Sequence, residues 1–85
     1  MQKKLEVLGY RVSAHTYSPG TYFPPHTHGM DKIDAVLSGS FRIGMGKESV
    51  VLQAGDWIHV PCNAEHEAEV IGNEPVVSLD AVKSR

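Results

Sequence analysis

His26 and His28 stand two residues apart in the stretch Gly20-Thr-Tyr-Phe-Pro-Pro-His-Thr-His. Side chains alternate across an extended backbone, so two imidazoles with this spacing point to the same side. The prolines before them favour an extended chain and exclude a helix. Two imidazoles on one face make half of a metal site. The other half must come from elsewhere in the chain, and a candidate stands downstream at Pro61-Cys-Asn-Ala-Glu-His66. These side chains suit a divalent transition ion better than a hard, oxygen-preferring one.

Such a site needs a scaffold to hold it. Turn signals recur at short intervals, at Ser18-Pro-Gly20, Ser38-Gly39, Gly44-Met-Gly46, Ala54-Gly-Asp56, Pro61-Cys-Asn63 and Gly72-Asn-Glu-Pro75. Between them lie short runs rich in β-branched and aromatic residues, the pattern of an all-β sandwich or barrel. The runs place strands over 4–8, 11–17, 21–28, 32–37, 40–43, 49–52, 57–60, 66–71 and 76–82, with little or no helix. Two apolar runs joined through Ser38-Gly39 read as a hairpin, and the stretch around Gly55 repeats that plan. The polar end, residues 81–85, is expected to fray.

With 85 residues the chain is expected to be a single domain, 1–85, with a modest core that a metal or a homodimer interface would help to hold. A net charge of −2 gives no basic surface for nucleic acid. One cysteine, Cys62, allows no intrachain disulfide and makes the cytoplasm the default location. No apolar run approaches the ~20 residues that cross a membrane. The N-terminal Met1-Gln-Lys-Lys-Leu-Glu-Val has basic residues with no apolar signal core behind them.

The spacing of these residues resembles the cupin family, the small double-stranded β-helix or jelly-roll barrel. Its first motif is written G-x5-H-x-H-x3–4-E-x6-G, and residues 20–39 match it from Gly20 through His26 and His28 to Gly39. Its second motif is G-x5-P-x-G-x2-H-x3-N, and residues 55–70 match it at Gly55, Pro61 and His66. The spacer, 40–54, is short, as in compact microbial single-domain cupins. Three positions depart from the pattern. Lys32 stands in place of the glutamate, Asn63 in place of the glycine, and Val70 in place of the final asparagine. Asn63 is a mild change, because asparagine tolerates a left-handed backbone.

The resemblance implies a divalent-metal site with His26, His28 and His66 as ligands, and Zn, Fe, Ni, Cu or Mn as its occupant. Three protein ligands leave positions for water or a small molecule, the arrangement of a catalytic centre. Asp31 or Asp34 could substitute for the missing carboxylate, and His59 could add a fourth imidazole. Lys32 either points into the site, as an anion binder or acid–base group, or is a solvated surface charge, the simpler reading. Asp34 shares its strand parity, so the two could also pair with each other. His15 reads as structural or exposed. Cys62 reads as a small buried apolar residue. The aromatic residues, Trp57 among them, read as core or dimer contacts.

Three functions are open to a chain with this resemblance, the least specific being a structural or storage barrel with a vestigial site. Of the other two, one is a metal-dependent oxygenase, isomerase or lyase acting on a small polar molecule. The other is a ligand-sensing or binding module with no catalysis and no essential metal. The fold hosts all three, so fold alone does not choose among them.

Overall fold

A computed structural model describes residues 9–83 of the chain. The strand expected over 4–8 lies outside the described residues. Eight strands follow in order: β1 (Tyr10–Tyr17), β2 (Tyr22–His26), β3 (Lys32–Ser38), β4 (Ser40–Met45), β5 (Glu48–Leu52), β6 (Trp57–Val60), β7 (His66–Ile71) and β8 (Val76–Lys83). No helix occurs among the described residues. The strands form two four-stranded sheets, ordered β1-β8-β3-β6 and β2-β7-β4-β5. Every pairing is antiparallel, so the molecule is a jelly-roll barrel.

The core lies between the sheets. Val36, Phe41, Ile43, Leu52, Ala68, Val70 and Val76 are buried there, with Tyr17, Phe23 and Ile58 packed against them. Alternation explains the selection. On β7, His66, Ala68 and Val70 are buried while Glu67 and Glu69 are half-buried on the opposite side. The outer face of the β2-β7-β4-β5 sheet is ionic. Arg42 lies 3.5 Å from Glu67 and 3.4 Å from Glu69, and the Tyr22 hydroxyl donates to Glu67 at 2.7 Å.

Two connections differ from their sequence reading. The Ser38-Gly39 link and the Gly55 link are not hairpins, because β3 and β6 belong to one sheet while β4 and β5 belong to the other. Each link carries the chain across the barrel. Gly39 has φ +86, and a side chain there would collide with the Pro75 carbonyl oxygen and stand 3.0 Å from the Val76 Cα. Only glycine allows both the left-handed turn and the close backbone approach. The Gly55 link is tied to β3, where Gly55 N–H donates to the Val36 carbonyl and Val36 N–H to the Asp56 carbonyl. The true hairpin is β4–β5, closed at Gly46 with φ +64.

The carboxyl-terminal reading is also corrected. β8 runs through Lys83, because it is a central strand that pairs with β1 and β3 along its length. Residues 84–85 lie outside the described residues.

Candidate metal centre

His26 closes β2, and His66 opens β7 directly opposite it in the register. β2 is an edge strand with an irregularity between Phe23 and His26. An edge strand with a bulge is where Pro24 and Pro25 cost no ladder hydrogen bonds. The strand ends at His26, short of the expected residue 28, so His28 comes from the following loop and not from strand alternation.

The loop is held in place from two sides. Asn63 N–H donates to the His28 carbonyl at 2.7 Å, and Cys62 N–H donates to Asp31 Oδ1 at 2.6 Å. Asn63 adopts φ 64, the left-handed conformation that its motif position demands. The turn carrying the second motif thus fixes the loop carrying the first.

These elements bring the three rings together. Ring centroids lie 4.8 Å apart for His26–His28, 4.2 Å for His26–His66 and 5.1 Å for His28–His66. Their possible ligand atoms all fall within 4.8 Å of one another. Nitrogens bound to one metal at ~2.1 Å stand roughly 3 to 3.5 Å apart. A small closing of the rings, led by exposed His28, would bring the set to bonding distance.

Hydrogen bonds settle which nitrogens are available. His26 Nδ1 lies 2.6 Å from the Pro24 carbonyl, and His66 Nδ1 lies 3.0 Å from the Ala64 carbonyl. A carbonyl oxygen only accepts, so Nδ1 carries the proton in both rings and Nε2 keeps its lone pair. Both rings therefore turn Nε2, the nitrogen free for a ligand, away from the backbone carbonyl. Burial lowers the pKa of His66, and His26 and Lys32 nearby add to that against the Ala64 hydrogen bond. Burial, then the charge of Lys32 and the other two histidines, lowers His28 as well. Uncharged imidazoles at neutral pH are what a divalent ion needs. The donor set fits a divalent transition ion.

The three histidines line one side of a cavity of about 190 Å³. Tyr17, Phe23, Phe41 and Ala68 form its apolar wall, with the Tyr17 ring edge-on to Phe23 at 4.9 Å. The remaining side is ionic. Lys32 Nζ lies 3.3 Å from Asp34 Oδ1 and 2.8 Å from Asp80 Oδ1. Asp34 and Asp80 face each other across β3 and β8.

Lys32 is therefore not the solvated surface charge of the simpler reading. Its side chain is 11% exposed and points into the barrel, paired with Asp34 as strand parity allows. Burial alone would lower its pKa, but the two carboxylates outweigh burial and raise it. Burial, with a hydrogen bond to Asp80, pushes Asp34 up to about 7. Burial would raise Asp80 too, but the Asp34 hydrogen bond and the Lys32 ammonium hold it low. A proton taken up by the cluster thus goes to Asp34 before Asp80.

The alternative ligands are placed elsewhere. His59 pairs with Ile33, on the opposite side of β3 from Lys32 and Asp34, and is exposed. Asp34 lies in the cavity but is engaged by Lys32 and Asp80. Asp31 accepts the Cys62 N–H. Cys62 is exposed, contrary to the buried role expected of it. A turn that spends its backbone clamping the neighbouring loop leaves the thiol outside. His15 is exposed on β1, 3.0 Å from Ser13 Oγ. Trp57 is 56% exposed, so it is not a core residue.

Asp80 is the cavity residue that sequence reasoning missed. Its signal is faint: Ser78 and Asp80 are the polar alternates of the otherwise apolar run Val76-Val-Ser-Leu-Asp-Ala-Val.

The fold is a two-sheet jelly roll, and three imidazoles that could hold a metal ion converge at its cavity. The sequence matches the family described as "Cupin domain" over residues 14–82, and the chain belongs to that family. Solved structures share the fold. KdgF from Halomonas sp. superposes with a TM-score of 0.77 at 23% identity, over 91% of this chain and 72% of that one. An oxalate oxidase in complex with the substrate analogue glycolate gives 0.79 at 24% identity, over 91% of this chain and 43% of that one. TT1209 from Thermus thermophilus gives 0.75 at 25% identity, over 82% of this chain and 68% of that one. The chain thus spans less than half of the oxalate oxidase chain. Comparison with curated proteins finds no match.

Proposed function

We propose that the protein is a divalent-metal cupin whose His26, His28 and His66 hold one transition ion, with open positions that receive a small polar molecule. The observation that carries this reading is the pair of Nδ1-to-carbonyl hydrogen bonds, which leave two Nε2 lone pairs beside the third imidazole. A bound ion would supply Lewis-acid activation of an oxygen ligand. The chain's own contribution is to favour the neutral form of His28 and His66, to shield the cavity with Tyr17, Phe23 and Phe41, and to place a buried ionic cluster beside the ligand. The reaction class within this reading is that of a metal-dependent oxygenase, isomerase or lyase.

The reading includes a cytoplasmic homodimer formed of single-domain subunits. The lone exposed cysteine suits a reducing compartment. The exposed Trp57, on the outside of the β1-β8-β3-β6 sheet, supplies an apolar anchor for a second copy. No helix among the described residues is long and apolar enough to cross a membrane.

Metal analysis of purified wild type and of His26→Ala, His28→Ala and His66→Ala tests the reading. Near-stoichiometric metal in wild type, lost in each variant, is expected. Unchanged occupancy in all three variants would refute the assignment.

A further inference from the structure

One polar side chain of the cavity has found no partner. Ser78 points inward from β8, because Val76 before it lies in the core and Asp80 after it lines the cavity. Among the described residues, Asp80 Oδ1 is the sealed side-chain oxygen without a hydrogen bond, and it lies against the Lys32 ammonium. Ser78 Oγ makes no hydrogen bond either, but it is not sealed: the residue is 2% exposed and lines the cavity. A hydroxyl with a free proton and free lone pairs inside a barrel calls for a ligand group. The other polar groups of this wall are committed to one another. The ammonium lies between the carboxylates at 3.3 and 2.8 Å. Tyr17, Phe23, Phe41 and Ala68 supply the apolar surface. Ser78 pairs with Val36, four residues along β3 from Lys32, whose charge bears on His28 and His66. The histidines and Ser78 thus stand toward opposite ends of one cavity of about 190 Å³, room for a molecule several times the ~30 Å³ share of a water.

We propose that this cavity binds small carboxylates that end in a hydroxyl: the carboxylate is received at the histidine side, a short methylene chain lies along the aromatic wall, and the terminal hydroxyl bonds to Ser78 Oγ. The inference rests on the metal reading above and narrows its ligand class. A terminal methyl would leave Ser78 unmet. A terminal carboxylate would stand near Asp80 and Asp34, whose ammonium is already committed to them. A terminal ammonium would bring three protons to the one acceptor that Ser78 offers. A hydroxyl matches Ser78 as donor or as acceptor and adds no charge, so discrimination comes from the mismatch of the rivals as much as from attraction.

Two matched pairs of probes read the Ser78 end: γ-hydroxybutyrate with pentanoate, and β-hydroxypropionate with butyrate. Within each pair the acids are of equal size and differ only in a terminal hydroxyl against a terminal methyl. Calorimetric titration of zinc-loaded wild type should give binding of the hydroxy acid about fivefold tighter, or more, in at least one pair. Ser78→Ala removes Oγ without touching the strand pairing and should abolish that preference. Ser78→Cys keeps the shape with only a weak donor. It should lose the preference likewise, and it decides the matter where Ser78→Ala does not fold. A preference that survives the substitution would place the hydroxyl at the histidine side and overturn the inference. Zinc binding with no preference in either pair, or with none of the acids bound, overturns it too. The metal reading stands in each of these cases. Failure of wild type to bind zinc overturns both.

Discussion

The two polar sides of the cavity are built in opposite ways. On the histidine side, His26 and His66 hold their Nδ1 protons on backbone carbonyls and leave Nε2 unused beside His28. The ionic side is made of charges that answer one another within 3.3 Å. The first is a donor set suited to an incoming cation. The second already contains its cation, the ammonium of Lys32. Their origins differ as well. The histidine side depends on a loop and a turn clamped together by short backbone contacts. The ionic side depends on the register of two central strands, which puts Asp34 opposite Asp80. A group held by strand register is hard to displace, whereas exposed His28 can adjust to a ligand. A rigid charged wall thus faces an adaptable metal-binding wall.

The most disruptive way to break this contrast is Lys32→Glu. The family pattern alone suggests that glutamate would restore a fourth ligand and tighten metal binding, most for Mn(II). The structure predicts a different outcome, because the new carboxylate would sit beside Asp34 and Asp80 with no cation among them. Removing one partner of a buried pair costs about 3–5 kcal/mol, and adding a like charge costs more. Urea unfolding of the variant should show a loss of at least that size, with a compensating Asp80→Asn change recovering part of it. A loss under about 1 kcal/mol would mean that the ionic side is open to water.

Asp34→Asn sharpens the contrast through pH. The folded pKa of Asp34, about 7, lies above its ordinary value of 3.8. The group's stabilising contribution is therefore complete below about pH 4 and is lost as pH rises through 7. Asparagine has no such dependence. Relative to wild type, the variant should gain stability between pH 5 and pH 8, by an amount on the order of 1–3 kcal/mol. The histidine side has the opposite sign. His28 and His66 have lowered pKa values, so the metal-free protein should lose stability as pH falls below the ordinary histidine value of 6.5. Chemical unfolding curves at about pH 5, 6.5 and 8 measure both slopes.

Asp31→Ala gives the smallest of these effects. It removes the acceptor of the Cys62 N–H, a loss of about 1 kcal/mol. Its consequence should appear on the histidine side alone, as a zinc affinity several times weaker with the Asp34 pH response unchanged. An unchanged zinc affinity would show that the loop needs no clamp.

These regions are unequally legible in the sequence. His26, His28 and His66 stand in short motifs whose spacing survives as geometry, although His28 reaches the site from a loop and not from the strand assigned to it. Asn63 is legible because few residues accept its backbone angle. Lys32 is easily misjudged, because burying an ammonium looks costly until its partners are known. One of those partners, Asp80, is distant in sequence and reaches it only through the pairing of β3 with β8. Gly39 and Gly55 announce turns correctly but not their kind. A left-handed glycine serves a crossing between sheets as well as a hairpin, and only the pairing of β3 with β6 and β8 distinguishes the two.

The central claim is that one side of the cavity receives a metal and the other does not. Anomalous diffraction at the zinc edge, on crystals of the zinc-loaded protein, tests it directly. The account predicts a single peak at about 2.0–2.2 Å from Nε2 of His26, His28 and His66, with no peak beside Lys32. A peak held by Asp34 and Asp80, or none near the three histidines, would contradict it.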